Sequence, residues 1–547
     1  MRRDRTCPIR SGLRASLARL GRFRREDEGS MLVFGLYMLV LMLMIGGIAV
    51  DVMRFEYERS RLQGTLDRAV LAAASLSQTR APSDVVKDYV AKAGLSAYLD
   101  EPVVNANSLN MRSVSATAEY NLPTVFMKLM DIDTLAAPAA STAEERVTNV
   151  EISLVLDVSD SMNSNSRLVN LRTAAKDFIE TVLTGANTGL AGAPKISISI
   201  VPYSGQANAG ADLLGTYPNR KYGQSYSYCV DFQADDYTTT AISPTAALIG
   251  ATNGETWNGS SNFVPTFYWC PKSPANVNAE ILPLGTDATT LKDRITAMTA
   301  QGSTAIDIGM KWGVALLDPS LRPNITALKN AGKIDANFAG RPYDYTATDT
   351  MKVIVLMSDG EHVNNEPRMV DDHKTGVSDV WYDTSKSATA ATSYSLYDAT
   401  RKQWYWPYDS KWHSSPRGAT SCVATASTCG TASHLSYPDL WNKITVAQVS
   451  AKIFAPAYGV ATNYYYNKWI SWTANTTKDT RALQMCTAAK GKGITVYTVA
   501  FEAPTGGQAL LKSCASTSGH FYNVNSLEIV TAFRSIASHI TQLRLTQ

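Results

Sequence analysis

Residues Met31 to Val50 read MLVFGLYMLVLMLMIGGIAV, twenty consecutive positions without a charge. At 1.5 Å per residue such a helix spans about 30 Å, the thickness of a bilayer's hydrocarbon core. A helix buried in a globular core rarely stays apolar on every face over that length. A cleaved secretory signal would carry a shorter apolar stretch with small residues at its cleavage site. Here Val50 runs on into DVMRFEYERSRLQ, which is charged and helical in pattern. The segment reads as an uncleaved single-pass anchor.

Charge gives the anchor a direction. The 547 residues hold 51 Lys and Arg against 48 Asp and Glu, a net charge of +3. Residues 1–30 hold nine Arg, no Lys and four acids, which is +5, so the rest of the chain is −2. The positive-inside rule places this Arg-rich arm in the cytoplasm and the bulk of the chain across the membrane. The near balance elsewhere argues against a nucleic-acid surface. With 45% hydrophobic and 18% charged residues, global disorder is excluded. The length allows roughly two to four domains at about 150 residues each.

The anchor helix is expected to run on beyond the bilayer. Val52, Phe55, Leu62, Leu66, Ala69, Ala73 and Leu76 form one apolar stripe, and Pro82 ends the pattern. That stripe must pack on something. The candidate is the segment 103–145, where Arg112–Tyr120 (RSVSATAEY) alternates like a strand.

Seven cysteines follow the same topology. Cys7 falls on the cytoplasmic side and is expected to be a free thiol. Cys229, Cys270, Cys422, Cys429, Cys486 and Cys514 all fall on the translocated side, where an oxidising compartment favours disulfides. Six cysteines allow fifteen pairings. Pairing of nearest neighbours, 229–270, 422–429 and 486–514, is expected because each bridge would staple one local excursion. The absence of C-x-x-C and the scatter of the six His argue against zinc.

The clearest chemistry lies in EISLVLDVSDSMNSNSR, Glu151 to Arg167. Ile152–Leu156 is a short apolar run of the buried parallel kind. It ends in Asp157, Ser159 and Ser161, one carboxylate and two hydroxyls at alternate positions. These are hard oxygen donors, suited to Mg²⁺, Mn²⁺ or Ca²⁺. Alone, D-x-S-x-S is common in caps and turns. Two further loops add weight. Thr304 follows Gly302 just before a helical run, and Asp359 closes a second apolar strand, Val353–Met357. Strand ends opening into polar loops are where open α/β sheets hold ligands. A metal that only stabilises the fold is a second reading of the same donors.

Asp157-x-Ser159-x-Ser161, the Gly302-Ser303-Thr304 loop and Ser358-Asp359-Gly360 together resemble a von Willebrand factor type A domain. The resemblance implies a metal-ion-dependent adhesion site with Mg²⁺ as first choice. Ser159 and Ser161 would bind the ion directly, Thr304 directly or through water, and Asp157 and Asp359 largely through water. Ser358 stands where the family often has Thr. The open coordination position would take a partner's Asp or Glu.

The remaining pattern fits that fold. Helices are expected at Leu168–Leu183, Thr289–Met298, Ala305–Leu317, Asp479–Lys490 and Ser526–Leu543, with strands at Lys195–Val201 and Ile494–Phe501. Strands alternating with helices predict an α/β, doubly wound and mostly parallel sheet, covering 148–547. Two long insertions interrupt it, about 205–285 and 363–478. The second holds seven of the ten Trp, including Trp404, Trp406, Trp412, Trp469 and Trp472. It reads as a small disulfide-stapled subdomain, or as an aromatic platform for a protein or sugar. Because it leaves from the Asp359 loop, it is expected near the metal site.

The N-terminus carries a second resemblance. Glu28-Gly29-Ser30, the apolar span, Gly46-Gly47-Ile48-Ala49-Val50-Asp51, Leu62-Gln63 and Asp67–Ala74 resemble TadG-like proteins of tight-adherence (Flp) pilus assembly. Val201–Ser204 and the stretches Leu510–Ser516, Gly519–Tyr522 and Ala532–Ala537 resemble the same family. Residues 51–147 would then be the extended helix and a Tad-like periplasmic region. A processed pseudopilin would carry Glu five residues after its cleavage-site Gly. Gly29 is followed at that distance by Phe34, which favours an unprocessed anchor.

These resemblances imply a non-enzymatic assembly factor of a pilus, held in the inner membrane, with its metal site facing the periplasm. Its partner would be a pilus or secretion-machine component offering an acidic side chain. A cell-surface adhesin using the same site and the aromatic insertion is the alternative. An enzyme is disfavoured: the sequence has no G-x-S-x-G, HExxH or Walker loop, and His362 and His520 stand alone.

Overall fold

The apolar run builds the longest element, a helix over Glu28–Ala74 of 47 residues. Among the described residues it is the one helix long and apolar enough to cross a membrane. The computed structural model describes residues 28–75, 80–108, 111–146, 149–184, 196–257, 261–271, 279–347, 350–362 and 366–541. The Arg-rich arm up to residue 27, Cys7 and Leu76 lie outside them. The chain divides into two units, Met1–Arg146 with Leu543–Gln547, and Val147–Gln542.

In the first unit the helix changes environment along its length. Met31, Leu32, Phe34, Leu36 and Leu43 are all more than half exposed, as side chains meant for lipid would be. Further along, Leu62, Leu66, Ala69, Val70 and Ala73 are buried. They meet Val85, Val86 and Val90 of the helix Pro82–Lys92, and Val114, Ala116 and Ala118 of a sheet. That sheet has three antiparallel strands, β1 (Val103–Ser108), β2 (Met111–Pro123) and β3 (Thr134–Arg146), in that order. The alternation read over Arg112–Tyr120 is thus the packing face of β2. Within the expected stripe Val52 is 44% exposed and Phe55 half-buried, and full burial starts at Leu62.

The second unit is a doubly wound α/β fold. Its chain runs β4 (Asn149–Asp157), helix Arg167–Thr184, β5 (Ile196–Tyr203), β6 (Leu282–Gly285), helices Ala288–Ala297 and Ile306–Ala315, and β7 (Thr350–Ser358). An excursion holds β8 (Glu366–Met369), β9 (Val377–Asp383), β10 (Tyr394–Asp398), β11 (Gln403–Trp406), β12 (Lys411–His413), β13 (Thr428–Cys429), β14 (Ala432–Ser436) and β15 (Ile470–Thr473). Helix Asn475–Gly491, β16 (Thr495–Phe501), helix Thr505–Cys514, β17 (Phe521–Val524) and helix Glu528–Thr541 complete it.

The main sheet has the order β17-β16-β7-β4-β5-β6. Every pairing is parallel except β5 with β6. β4 and β5 are buried at every residue, which is why they read as unbroken apolar runs. Leu171, Phe178, Leu291, Ile529 and Phe533 bring three helices onto one face of the sheet. Ile308, Trp312, Met485 and Leu511 bring three others onto the opposite face.

The insertion boundaries shift. Leu282–Gly285, placed inside the first insertion from sequence, is the edge strand of the main sheet. Four residues with Leu284 at φ 43° are too few to show periodicity. Elsewhere in that insertion Phe232 packs edge-on to both Trp312 and Tyr237. The second insertion forms a six-stranded antiparallel sheet, β12-β11-β10-β9-β14-β13, beside the pair β15-β8. Its aromatic content is mostly core: Tyr394, Trp441, Tyr466 and Trp469 are buried together, and Trp381 meets Trp404 edge-on. Trp472 is 41% exposed.

The three disulfides are Cys229–Cys270, Cys422–Cys429 and Cys486–Cys514. Both cysteines of the first and third bridges are buried, whereas Cys422 and Cys429 are half-buried. Mild reduction of the native protein should therefore open Cys422–Cys429 first. Differential alkylation with mass spectrometry reads the order, and simultaneous opening of all three would contradict the burial pattern.

Candidate functional site

β4 and β7 are parallel neighbours in register from Asn149↔Thr350 to Leu156↔Met357. Asp157 and the Ser358-Asp359 pair therefore leave the sheet side by side at its carboxyl end, although 201 residues separate Asp157 from Ser358. The Ser358 hydroxyl donates to Asp157 Oδ2 at 2.6 Å, and the Ser159 backbone N–H donates to Asp157 Oδ1 at 2.8 Å. The Ser161 hydroxyl donates to Asp359 Oδ1 at 2.8 Å, and Ser159 Oγ lies 3.0 Å from Ser161 Oγ. With the Ser161 proton committed to Asp359, Ser159 is the donor of that last pair.

The Gly302–Thr304 loop joins through its backbone. Gly302, at φ 84°, accepts from the Asp160 N–H at 2.8 Å, and the Gln301 N–H donates to Val158 O at 2.9 Å. Thr304 lies against the Asp359 loop: a Cβ added to Gly360 would stand 3.3 Å from Thr304 Oγ1. All five residues singled out from sequence thus come from three loops that touch. Asp157, Ser159, Thr304 and Asp359 are buried, and Ser161 is exposed, so the cluster opens to solvent on the Ser161 side.

The electrostatics are those of a site short of positive charge. Burial, then the nearby charge of Asp359, pushes the Asp157 carboxyl well above the usual carboxylate range. Burial also raises Asp359, against hydrogen bonds from Ser161 and Arg167 that pull it down. A cation among these oxygens would relieve both. The donors are all hydroxyl or carboxylate oxygen, a set that fits a hard divalent ion. Among the described residues no group of three or more His, Cys, Asp and Glu is placed to hold a metal; this cluster offers two carboxylates and three hydroxyls.

Two residues escaped the sequence reading. Arg167 donates from Nη1 to Asp359 Oδ2 at 2.8 Å and from Nε to Glu502 Oε2 at 2.9 Å. Glu502 follows the end of β16 and adopts φ 52°. Its position after a parallel strand, like that of Asp359, was the available signal.

His362 is a strut. The Ile306 N–H donates to its Nε2 at 2.9 Å, so the ring proton sits on Nδ1, which donates to Asp479 Oδ1 at 2.7 Å. Lys478 Nζ donates to the Thr304 carbonyl at 2.8 Å. Both hold the Thr304 loop from behind. His520 instead pairs with Thr517 Oγ1 at 2.6 Å and packs on Tyr497. Beside the cluster, the aromatic neighbour of Gly302 is Phe267 of the first insertion. The second insertion leans on the first, through Thr445 N–H to Phe263 O and Tyr466 Oη to Thr256 O.

Residues 29–76 match the family profile described as putative Flp pilus-assembly TadE/G-like. The N-terminal segment is TadE/G-like. No curated protein matches the chain. Among solved structures, the vWF domain of the type V pili tip protein Mfa5 from Porphyromonas gingivalis is 15% identical, over 72% of this chain and 95% of that one, at a TM-score of 0.29. The pilus adhesin SpaC from Lactobacillus rhamnosus GG is 12% identical over 81% of this chain, which spans 33% of SpaC, at a TM-score of 0.29. A von Willebrand factor type A structure from Catenulispora acidiphila is 10% identical over 81% of this chain and 50% of that one, at a TM-score of 0.25. The doubly wound fold of the second unit stands on its own strand order.

Proposed function

We propose that this protein is a membrane-anchored, non-enzymatic assembly factor of a tight-adherence (Flp) pilus, which binds an acidic partner through a divalent cation. The observation that carries the reading is the meeting of Asp157, Ser159, Ser161, Thr304 and Asp359 at one solvent-facing point, in a chain whose N-terminus is TadE/G-like. Ser159, Ser161 and Thr304 would hold the ion, with Asp157 and Asp359 behind them. Mg²⁺ is the first choice, with Mn²⁺ or Ca²⁺ as alternatives. Bound there, the ion would supply a Lewis-acidic position for a partner's carboxylate. The Arg-rich arm sets the N-terminus in the cytoplasm and the site in the periplasm. The full engagement of His362 supports a binding role over a catalytic one. The adhesin alternative keeps less of its aromatic platform, since most of those rings are core.

The direct test combines Asp157→Ala with Ser159→Ala. Pilus assembly and capture of the partner should both be lost, as they should in the wild type under chelation. Survival of assembly through both treatments would rule the cation out of the function. Fractionation should leave the protein in the inner membrane, and protease sensitivity on intact cells would favour the adhesin.

Arg167 offers a further check. Its guanidinium competes with any cation for Asp359 Oδ2. Arg167→Met is expected to tighten Mg²⁺ binding by about tenfold, since one nearby charge in a half-wet site is worth roughly 1–2 kcal/mol. Isothermal titration reads the change. Weaker binding would show that Arg167 instead orients the carboxylate.

A further inference from the structure

The turn between β2 and β3 reads Val125-Phe126-Met127-Lys128-Leu129-Met130. Val125 is 58% exposed, Leu129 79% and Phe126 40%. A soluble turn would not usually spend such residues on water. Its position along the anchor helix explains them. Phe126 packs on Gly47: a Cβ added to Gly47 would lie 2.5 Å from the Phe126 ring. Gly47 is three residues inside the apolar run that ends at Val50, about 5 Å along the helix axis. The turn is also fastened at that level. Asp51, whose side chain is fully buried, accepts backbone hydrogen bonds from Val125 (3.1 Å), Phe126 (2.8 Å) and Met127 (2.8 Å). The first charge after the apolar run thus satisfies three backbone donors of the turn that would otherwise face hydrocarbon.

We infer that residues 125–130 are a membrane-seated turn, inserted into the headgroup and upper acyl region of the leaflet from which the anchor helix emerges. This rests on the reading of Met31–Val50 as a bilayer span. The occupant of the apolar face is lipid, because the face is continuous with the exposed surface of the span through the Phe126–Gly47 contact. Interfacial segments bury their apolar side by roughly 5–10 Å, which matches the level of Gly47. Lys128 Nζ lies 3.8 Å from Asp133 Oδ1, both exposed, which keeps the charges of the turn toward the headgroups. A second attachment point beside the helix fixes the orientation of the β1–β3 sheet relative to the bilayer, which a single span leaves free.

The test uses the full-length chain in proteoliposomes, with Cys7→Ser so that the six other native cysteines are those paired in the three disulfides. Leu129→Cys, Met44→Cys and Glu101→Cys each carry one environment-sensitive fluorophore, and lipids bearing a shallow nitroxide are the quencher. Leu129 and Glu101 are both exposed, so neither change disturbs the core. Quenching at Leu129→Cys should exceed that at Glu101→Cys by at least about fivefold and follow Met44→Cys in sign. Strong quenching at Met44→Cys with none at Leu129→Cys overturns the turn's insertion and leaves the anchor standing. No quenching at either position overturns the anchor, and this inference with it. A blue-shifted but unquenched label at Leu129→Cys means that protein covers the face, which also overturns it.

Discussion

Mg²⁺ is expected to raise the thermal stability of the wild-type protein, and Asp157→Asn is expected to remove that gain while leaving the metal-free protein at least as stable. The two halves have separate causes. In the metal-free state the Asp157 carboxylate is buried and faces the charge of Asp359, and burial first, then that charge, raises its pKa. Its hydrogen bonds from Ser358 and the Ser159 backbone offset only part of that cost. Asn keeps the shape and one acceptor while removing the repulsion. Polar burial without the charge is the cheaper state. With a cation present the balance inverts. A ligand at a hundredfold excess over its Kd stabilises the form it binds by about 2.7 kcal/mol. Loss of a supporting carboxylate typically weakens a metal site 10–100-fold, and most of that gain goes with it. Thermal unfolding of both proteins, with Mg²⁺ and with chelator, separates the outcomes. A lower metal-free midpoint with an unchanged Mg²⁺ increment would mean that Asp157 is a structural cap. That result would return the D-x-S-x-S loop to its ordinary role in turns.

Such an experiment can be designed from residues that were legible because their signals are local. Asp157, Ser159 and Ser161 sit within five positions at the end of an apolar strand, and Asp359 repeats the strand-end pattern. The parallel strands were legible for a related reason: burial on both faces makes them continuous apolar runs. What stayed hidden depends on distant pairing. Arg167 and Glu502 are 335 residues apart, and neither lies in a distinctive local pattern. The strands of the second insertion are two to seven residues long. Their aromatics pack on each other in two clusters rather than alternating toward one core. β6 was absorbed into an insertion because four residues pairing antiparallel at an edge leave no period to read. The nearest-neighbour disulfides are the ones the structure pairs, since each closes a loop within one region of the fold.

Lys478→Met is expected to be the most destabilising single change near the cluster, by about 3–5 kcal/mol. The Lys478 side chain is fully buried. Burial depresses its pKa, against the charges of Asp307 and Glu366, which favour the ammonium. Asp307 is equally buried, and among the described residues neither of its carboxylate oxygens has a hydrogen-bond partner. His362, also in the Thr304 loop's support, places Nε2 3.9 Å from Asp307 Oδ1. That nitrogen is occupied by the Ile306 N–H, so His362 supplies no charge. Without Lys478, Asp307 is left as a buried anion lacking that compensation. Adding Asp307→Asn to Lys478→Met should therefore recover at least about 1 kcal/mol beyond additivity. Chemical denaturation of the four proteins of the cycle, solubilised in detergent, measures the coupling. Strict additivity would show that the two charges do not sense each other. Cation affinity should behave differently. Lys478 also donates to the Thr304 carbonyl, and that bond is missing in both variants that carry Met. The double variant is expected to regain stability yet bind Mg²⁺ about tenfold more weakly than wild type. Recovery of both quantities together would reduce Lys478 to a charge partner. Recovery of stability alone identifies it as the residue that sets the height of the Thr304 loop against the Asp157–Asp359 cluster.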